Sequence, residues 1–311
     1  MFLKTFIKNN MLKINVVIVT YNRLNLLKEA ANAVVNQTYK AHKIFIVDNC
    51  STDGTDDFLR KFAGDRIIVT RTQRNIGGAG GFAEGVKLCE KSGEYDYLML
   101  IDDDAILNPD CLEALATAIE KHPNVPAFST VVKTKGVIDI RHHQRFAPRL
   151  LARLSNVPVN EYGRDSFFCD IASFCGVVVK NSIIKRIGLP ETDFFIWYDD
   201  VEYSIRINQF GRILNVNNAC LNHKTTAAPP KEMLSWKSYY GYRNLLVITR
   251  RHMTPIATMY QIARITAYAI MFWAKGHKVN GKNALSVCFT AIKDGLTDNL
   301  GINNKFMPKS K

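Results

Sequence analysis

The chain has 311 residues, a formal net charge of +13, 47% apolar residues and 10% aromatics. That is enough apolar chain for one large α/β domain with an appendage, or for two domains, and it excludes a disordered polymer. Seven scattered cysteines (Cys50, Cys89, Cys111, Cys169, Cys175, Cys220 and Cys288) form no CxxC pair and exclude a disulfide framework; they read as reduced thiols of a cytosolic compartment.

The opening MFLKTFIKNN lacks the apolar run and small-residue cleavage site of a secretory signal and reads as a loose tail before Met11. INVVIV (14–19) is continuously apolar, the pattern of a strand buried on both faces. A helix is expected over 25–36, a second strand in KIFIVD (43–48), an Asp53-Gly54 turn with a short helix, and a third strand in RIIVT (66–70). A helix opening on glycines runs from Gly80 to Lys91, and YLMLI (97–101) is a fourth strand. Asn108-Pro109 starts another helix, proline suiting the first turn. Alternating strands and helices predict a mostly parallel sheet, whose ligands gather beyond the carboxyl ends of its strands.

At that end lie three consecutive acids, Asp102, Asp103 and Asp104. They mark either a solvated turn or a place for positive charge. Asp-x-Asp on an extended segment aims two carboxylates the same way, which suits a hard divalent cation that keeps positions open for phosphate oxygens. His223, just after a strand expected over 212–221, is the candidate third ligand, and a mixed His and carboxylate set suits manganese. The run GAGGFA (78–83) fits a dinucleotide fingerprint only superficially, because the polar RTQRNI separates it from its strand. A nicotinamide enzyme and a P-loop are both excluded. The run instead offers backbone that can approach a ligand, followed by a helix N-terminus.

VVIVTYNR (16–23), IFIVDNCSTDGT (44–55), RNIGGAGGF (74–82), LMLIDDDA (98–105), FFIWYDDVEYSIRI (194–207) and LNH (221–223) together resemble the successive motifs of glycosyltransferase family 2. The resemblance covers roughly residues 14–223. It implies a GT-A fold (a mixed, mostly parallel sheet flanked by helices), a nucleotide-sugar donor, Mn2+ or Mg2+, and inversion at the anomeric carbon. Carried over by position, it implies that Thr20 and Arg23 border the nucleotide, that Asp48 accepts the N3–H of the pyrimidine with Asn49 beside it, and that Asn75, Gly77 and Gly78 lie near the ribose and diphosphate. Asp102 and Asp104 would hold the metal with His223, and Asp103 would lie near the ribose or donor sugar. For Asp48 the residues alone favour a cap on the Ser51–Gly54 turn. The second acidic cluster, Asp199 and Asp200, opens a helix, where acids are also favoured by ordinary capping. The resemblance makes Asp200 the base and Asp199 its acceptor-binding partner, with Trp197 and Tyr198 as a wall for a sugar ring. A nucleotidyltransferase is disfavoured, since TYNRLN is no Gly-rich, Arg-containing loop. A non-catalytic carbohydrate- or nucleotide-sugar-binding protein would need neither metal pair nor base.

Charge divides the chain. Residues 224–311 hold 14 Lys and Arg against three acids, whereas the remainder holds 27 against 25. Pro229-Pro230 marks the junction, giving a GT-A domain over 11–228 and a basic helical region over 229–311. Helices are expected in SWKSYYGYRNLLVITRR (235–251) and in PIATMYQIARITAYAIMFWA (255–274). In the second, Gln261, Arg264, Tyr268 and Lys275 share a face, so it reads as an amphipathic helix lying on an anionic membrane rather than crossing it. Arg250, Arg251, Lys275, Lys278 and Lys282 flank it and would each gain about 1 kcal/mol from anionic lipid. No nucleic-acid motif accompanies this charge. Residues 134–170, with His142 and His143, read as a mobile acceptor-side insertion. The expected partners are a nucleotide-sugar, a polyprenyl-linked glycan acceptor and the cytoplasmic face of the cell membrane. Asp48 permits a UDP or dTDP donor. The motifs are most similar to bacterial galactofuranosyltransferases acting in surface polysaccharide assembly, with rhamnosyltransferases using dTDP-rhamnose as the rival.

Overall fold

The computed structural model describes residues 11–225 and 234–307. Strands β1 (Ile14–Thr20), β2 (Ile44–Asp48), β3 (Ile67–Arg71) and β4 (Tyr97–Asp102) alternate with helices α1 (Leu24–Val35), α2 (Thr55–Phe62) and α3 (Gly77–Lys91). They pair in parallel in the order β4-β1-β2-β3. All seven residues of β1 are buried because the sheet is covered on both sides. Val16 and Ile18 join Leu27, Met99 and Leu115 on one face, while Val17 and Val19 join Phe82, Val86 and Leu100 on the other. A strand with two covered faces is apolar except where a polar group is bonded, as in Asn15, whose amide donates to Cys89 Sγ at 3.1 Å and accepts from the Lys43 N–H at 3.0 Å. Helix α1 buries Leu27, Ala30, Ala31 and Val34, the i, i+3, i+4, i+7 stripe of a helix on a sheet.

Beyond β4 the chain turns through Asp103 and Asp104 into β5 (Ala105–Leu107), then α4 (Cys111–Lys121) and β6 (Ala127–Thr134). Residues 134–170 are folded rather than loose. They form β7 (Val137–Ile138), β8 (His143–Phe146), β9 (Leu154–Asn156) and β10 (Ser166–Cys169), and β11 (Ile171–Ala172) follows. Strands β11, β8 and β9 make a separate antiparallel sheet at the mouth of the main one. After β12 (Val177–Lys180), α5 (Asn181–Ile187) and α6 (Asp199–Ile207) comes β13 (Ile213–His223). The full order is β10-β13-β6-β12-β4-β1-β2-β3, with β12 antiparallel to β4 and β5 antiparallel to β13.

Helix α3 starts at Gly77, three residues before the expected Gly80. Its glycines serve packing more than ligand approach. A Cβ on Gly81 or Gly85 would lie 2.5 or 2.4 Å from Val19 or Val17, so their absence lets α3 lie directly on β1. Gly77, at φ 76°, has the Phe195 carbonyl where a Cβ would stand, 1.9 Å away, whereas Gly78 faces open space.

Helices α7 (Trp236–His252), α8 (Pro255–Ala274) and α9 (Ala284–Leu296) match the two expected helices and add a third. The expected junction at 228/229 lies outside the described residues. What is described shows the basic region built into the N-terminal portion: Phe195 belongs to the same apolar cluster as Tyr240, Leu246, Ile265 and Val287. The expected polar face of α8 is divided: Tyr268 and Lys275 stay exposed, whereas Gln261 and Arg264 turn inward beside buried Ile265, Ala269 and Phe272. Gln261 is buried and donates to the carbonyls of Leu151 and Ala152 at 3.2 and 3.4 Å, and Arg264 lines an internal cleft. The side left in solvent carries Ile256, Met259, Ile270, Met271 and Trp273. Polar side chains turn inward here because carbonyls and the cleft await them there. No described helix is long and apolar enough to cross a membrane.

Candidate active site

The carboxyl ends of β1 and β4 meet the Asp103–Asp104 turn, and β5 then pairs antiparallel with the end of β13, setting His223 opposite Ala105. This pairing carries His223 from the far end of the domain to Asp104, with Nε2 3.1 Å from Oδ1. His223 is therefore the last residue of its strand rather than beyond it. Arg23 completes the group, its Nη1 donating to Asp103 at 3.1 Å and to Asp104 at 3.0 Å, and the Thr20 hydroxyl donates to Asp103 at 2.7 Å. The three acids thus have positive charge among them, and the solvated-turn reading fails: Asp103 and Asp104 are buried.

Crowding is still written in their ionisation. Burial, then the charges of Asp104 and Asp103, push the Asp102 carboxyl up to about 7. Burial lifts Asp103 to about 6 against the pull of Arg23 and Thr20. For Asp104 burial acts upward too, but His223 and Arg23 outweigh it and hold it below the usual carboxylate range. His223 is raised, Asp104 and Asp102 prevailing over burial. Donor atoms of Asp102, His223 and Cys175 all lie within 4.8 Å of one another, and the buried His223 Nδ1 has no partner. Acids that repel one another, a histidine and an orphaned ring nitrogen fit a divalent cation, which would discharge the repulsion. Cys175 was not legible as a neighbour of this group. Nor was His142, whose ring meets that of His223 edge-on with centroids 5.3 Å apart and whose pKa burial and His223 lower to about 4.

Asp48 and Asn49 are buried beside this end of the sheet and already occupied. Asp48 accepts from the Ser51 N–H at 2.9 Å, the turn cap the residues suggested, and pairs with Arg71 at 3.0 Å. Asn49 donates to Asn75 and to the Gly77 carbonyl and accepts from the Ile76 N–H, while Asn75 also accepts from the Gly77 N–H. Asn49, Asn75 and Gly77 thus shape the entry of α3, and Gly78 is the glycine that this places on the cleft.

Across a cavity of about 760 Å³ from the triplet stand Asp199 and Asp200, so both acidic clusters line one cleft. Burial and the charge of Asp200 raise Asp199 well above the ordinary carboxylate value, and burial lifts Asp200 to about 6 although its carboxylate accepts from the Val201 N–H at 2.7 Å. Trp197, 44% exposed, and Tyr198 also line the cleft. The loop that aims them is strained: Phe195, Trp197 and Tyr198 have φ of 65°, 67° and 71°, a region costly to residues with a Cβ. Helix α7 holds it. Fully buried Asn244 donates to the carbonyls of Phe194, Ile196 and Trp197 at 3.0, 3.1 and 2.8 Å, and fully buried Arg243 donates to those of Asp193, Phe194 and Gly301. Nothing in GYRNLL marks either residue as part of a site 50 residues earlier. Lys237, at the start of α7, lies over the Trp197 ring at 5.9 Å and faces the same cleft.

A parallel sheet whose carboxyl end carries an acidic turn answered by a histidine, with paired acids across one cleft, defines a GT-A type sugar-nucleotide transferase. The model of the family described as Glycosyl transferase family 2 matches residues 15–180, more than half of the chain, and the chain belongs to that family. Among curated relatives, galactofuranosyltransferase GlfT1 of Mycolicibacterium smegmatis is 28% identical over 208 residues, 63% of this chain and 65% of that protein. Poly(ribitol-phosphate) beta-N-acetylglucosaminyltransferase TarS of Staphylococcus aureus is 27% identical over 130 residues, covering 41% of this chain and 22% of that protein. The chain therefore spans about a fifth of one relative and just under two thirds of the other. Two solved structures share the fold: S. aureus TarS 1–349 in complex with UDP-GlcNAc (TM-score 0.60, 17% identity, 92% of this chain and 81% of that one) and GalNAc-T7 with UDP, GalNAc and Mn2+ (TM-score 0.64, 16% identity, 93% and 58%).

Proposed function

We propose that the chain transfers a sugar, with inversion, from a nucleoside diphosphate donor to a hydroxyl of a lipid-linked glycan. One observation carries this reading: the Asp102–Asp104 turn with His223 and the Asp199–Asp200 pair face each other across a single cleft. Asp102, Asp104 and His223 would hold Mn2+ or Mg2+, which when bound neutralises charge on a departing diphosphate. Asp103, tied to Thr20 and Arg23, fixes the turn from behind. Asp200 takes the proton of the attacking hydroxyl, and a carboxylate titrating near 6 is matched to that task at neutral pH. Asp199 binds the acceptor beside the base, and Trp197 and Tyr198 give it an apolar wall. Asp48 and Asn49 support the nucleotide end, Asp48 keeping acceptor capacity beyond its bonds to Ser51 and Arg71.

For the sugar, the likeness to galactofuranosyltransferase GlfT1 supports UDP-galactofuranose as donor. The exposed apolar side of α8, bordered by Lys275, Lys278 and Lys282, supports a peripheral position on an anionic membrane, reached by an apolar face and not by the polar stripe. The test is nucleoside diphosphate release from a panel of UDP-galactofuranose, UDP-GlcNAc, UDP-GalNAc and dTDP-rhamnose, with and without Mn2+. Metal-dependent release that is fastest from UDP-galactofuranose is expected. Release from dTDP-rhamnose alone sinks the donor assignment and leaves the mechanism; metal-independent release from every donor sinks the metal site.

A further inference from the structure

Two guanidinium groups on the acceptor side of the cleft are left unanswered. Arg264 projects from α8 into the same cavity as Tyr198, Asp199 and Asp200. Its guanidinium lies over the Tyr268 ring at 5.9 Å, and among the described residues its buried Nε has no acceptor. Buried N–H groups of a charged side chain are seldom left unmade in a folded protein. Arg153 lines this cavity as well, and among the described residues no carboxylate pairs with either arginine. Gln261, three residues before Arg264, donates to the carbonyls of Leu151 and Ala152 and so ties the segment that carries Arg153 to the helix that carries Arg264. The cleft's other cations are spoken for or sit elsewhere: Arg23 is bonded to the acidic turn, and Lys237 lies over Trp197 on α7.

We propose that Arg153 and Arg264 form an anion subsite that takes a phosphate group of the acceptor, next to Asp200. This deepens the proposed transfer reaction and rests on it, since it places the acceptor where the base is. Phosphate is the chemistry favoured: two forked guanidiniums offer several N–H donors to tetrahedral oxygens. A carboxylate has fewer oxygens to satisfy the same donors. The phosphate could belong to a lipid carrier or to a phosphodiester chain. The fold leans toward the carrier, because the opposite side of the same helix, with Ile256, Met259 and Ile270, is exposed and apolar.

The experiment titrates three probes into the full-length protein saturated with UDP and Mn2+, so that the donor end is filled: geranyl monophosphate, the phosphodiester of two glycerols, and neutral geranyl glucoside. At least one phosphate probe should bind tenfold or more tightly than the glucoside, and the Arg153→Ala/Arg264→Ala protein should lose that margin. Tighter binding of geranyl monophosphate assigns the anion to a lipid carrier, and tighter binding of the diester assigns it to a phosphodiester chain. Equal binding of all three probes, or wild-type phosphate affinity in the double variant, overturns the subsite. Melting temperature and UDP affinity report whether the double variant is folded. If it is not, Arg153→Ala alone, an exposed side chain without contacts in the fold, decides by the same loss of margin. Failure of UDP to bind the wild-type protein would instead sink the donor reading, and the probes titrated without UDP would still judge the subsite.

Discussion

Asn244→Leu should damage a catalytic loop that Asn244 never shares in sequence. Its amide carries two hydrogens, and three carbonyls lie within 3.1 Å of Nδ2. Phe194 keeps Arg243 as a second donor at 3.0 Å, so leucine, similar in volume, orphans the carbonyls of Ile196 and Trp197 and the buried Arg243 Nε–H that Asn244 Oδ1 accepts at 3.0 Å. Each buried group without a partner costs about 1–2 kcal/mol, so the variant should lose about 3–6 kcal/mol. For a chain of this size that corresponds to a fall of roughly 6–12 °C in melting temperature, at about 2 °C per kcal/mol. The same bonds hold three left-handed residues ahead of Asp199 and Asp200, so the loop should relax toward ordinary φ and misaim both carboxylates. Transfer should fall tenfold or more, while UDP affinity, set on the other side of the cleft, changes less than threefold. Calorimetric melting and acceptor-dependent UDP release measure both. A variant that melts and turns over like wild type, or one that loses stability with full transfer, would refute the bracing role of α7.

Asp200→Asn should leave UDP affinity intact and reduce transfer at least a hundredfold; retention of a tenth of the rate removes Asp200 as the base. With its carboxyl lifted to about 6, the base form is lost as pH falls, so kcat/KM should drop with unit slope below about pH 6, and a flat profile down to pH 4.5 would contradict the assignment. Asp102 and Asp103, raised from 3.8 to about 7 and about 6, bind protons more tightly in the folded than in the unfolded chain. Metal-free stability should therefore fall as pH rises from about 4 to about 7, with His223 acting in the same sense, and Mn2+ should raise the melting temperature more at pH 8 than at pH 5. A larger rise at pH 5 would sink the metal site. Met259→Glu/Trp273→Glu, on the exposed side of α8, should lower co-sedimentation with anionic liposomes severalfold without altering UDP affinity; unchanged sedimentation would remove α8 as the membrane face.

The sequence by itself determined the elements of the N-terminal sheet and their chemistry at the carboxyl end. Strands covered on both faces are predominantly apolar, so INVVIV and YLMLI read as buried strands, and the acids that end β4 fall at the end of the sheet where ligands gather. The order of the motifs then singled out Asp102, Asp104, His223 and Asp200 for the parts proposed above. Only the tertiary structure decided what lies next to them. His223 meets Asp104 through antiparallel pairing of β5 with β13, a contact more than 100 residues long in the chain, and Cys175 and His142 arrive by the same folding. The glycines of α3 looked like ligand contacts because close approach to a strand and close approach to a phosphate both require the loss of a Cβ. Helix α8 shows the limit most plainly. Periodicity established that it has a polar and an apolar side, but which side faces the protein depends on what the protein offers there. Carbonyls at Leu151 and Ala152 and the cleft drew Gln261 and Arg264 inward beside Ile265 and Phe272, and a second apolar set, Ile256, Met259, Ile270 and Trp273, was left to the solvent.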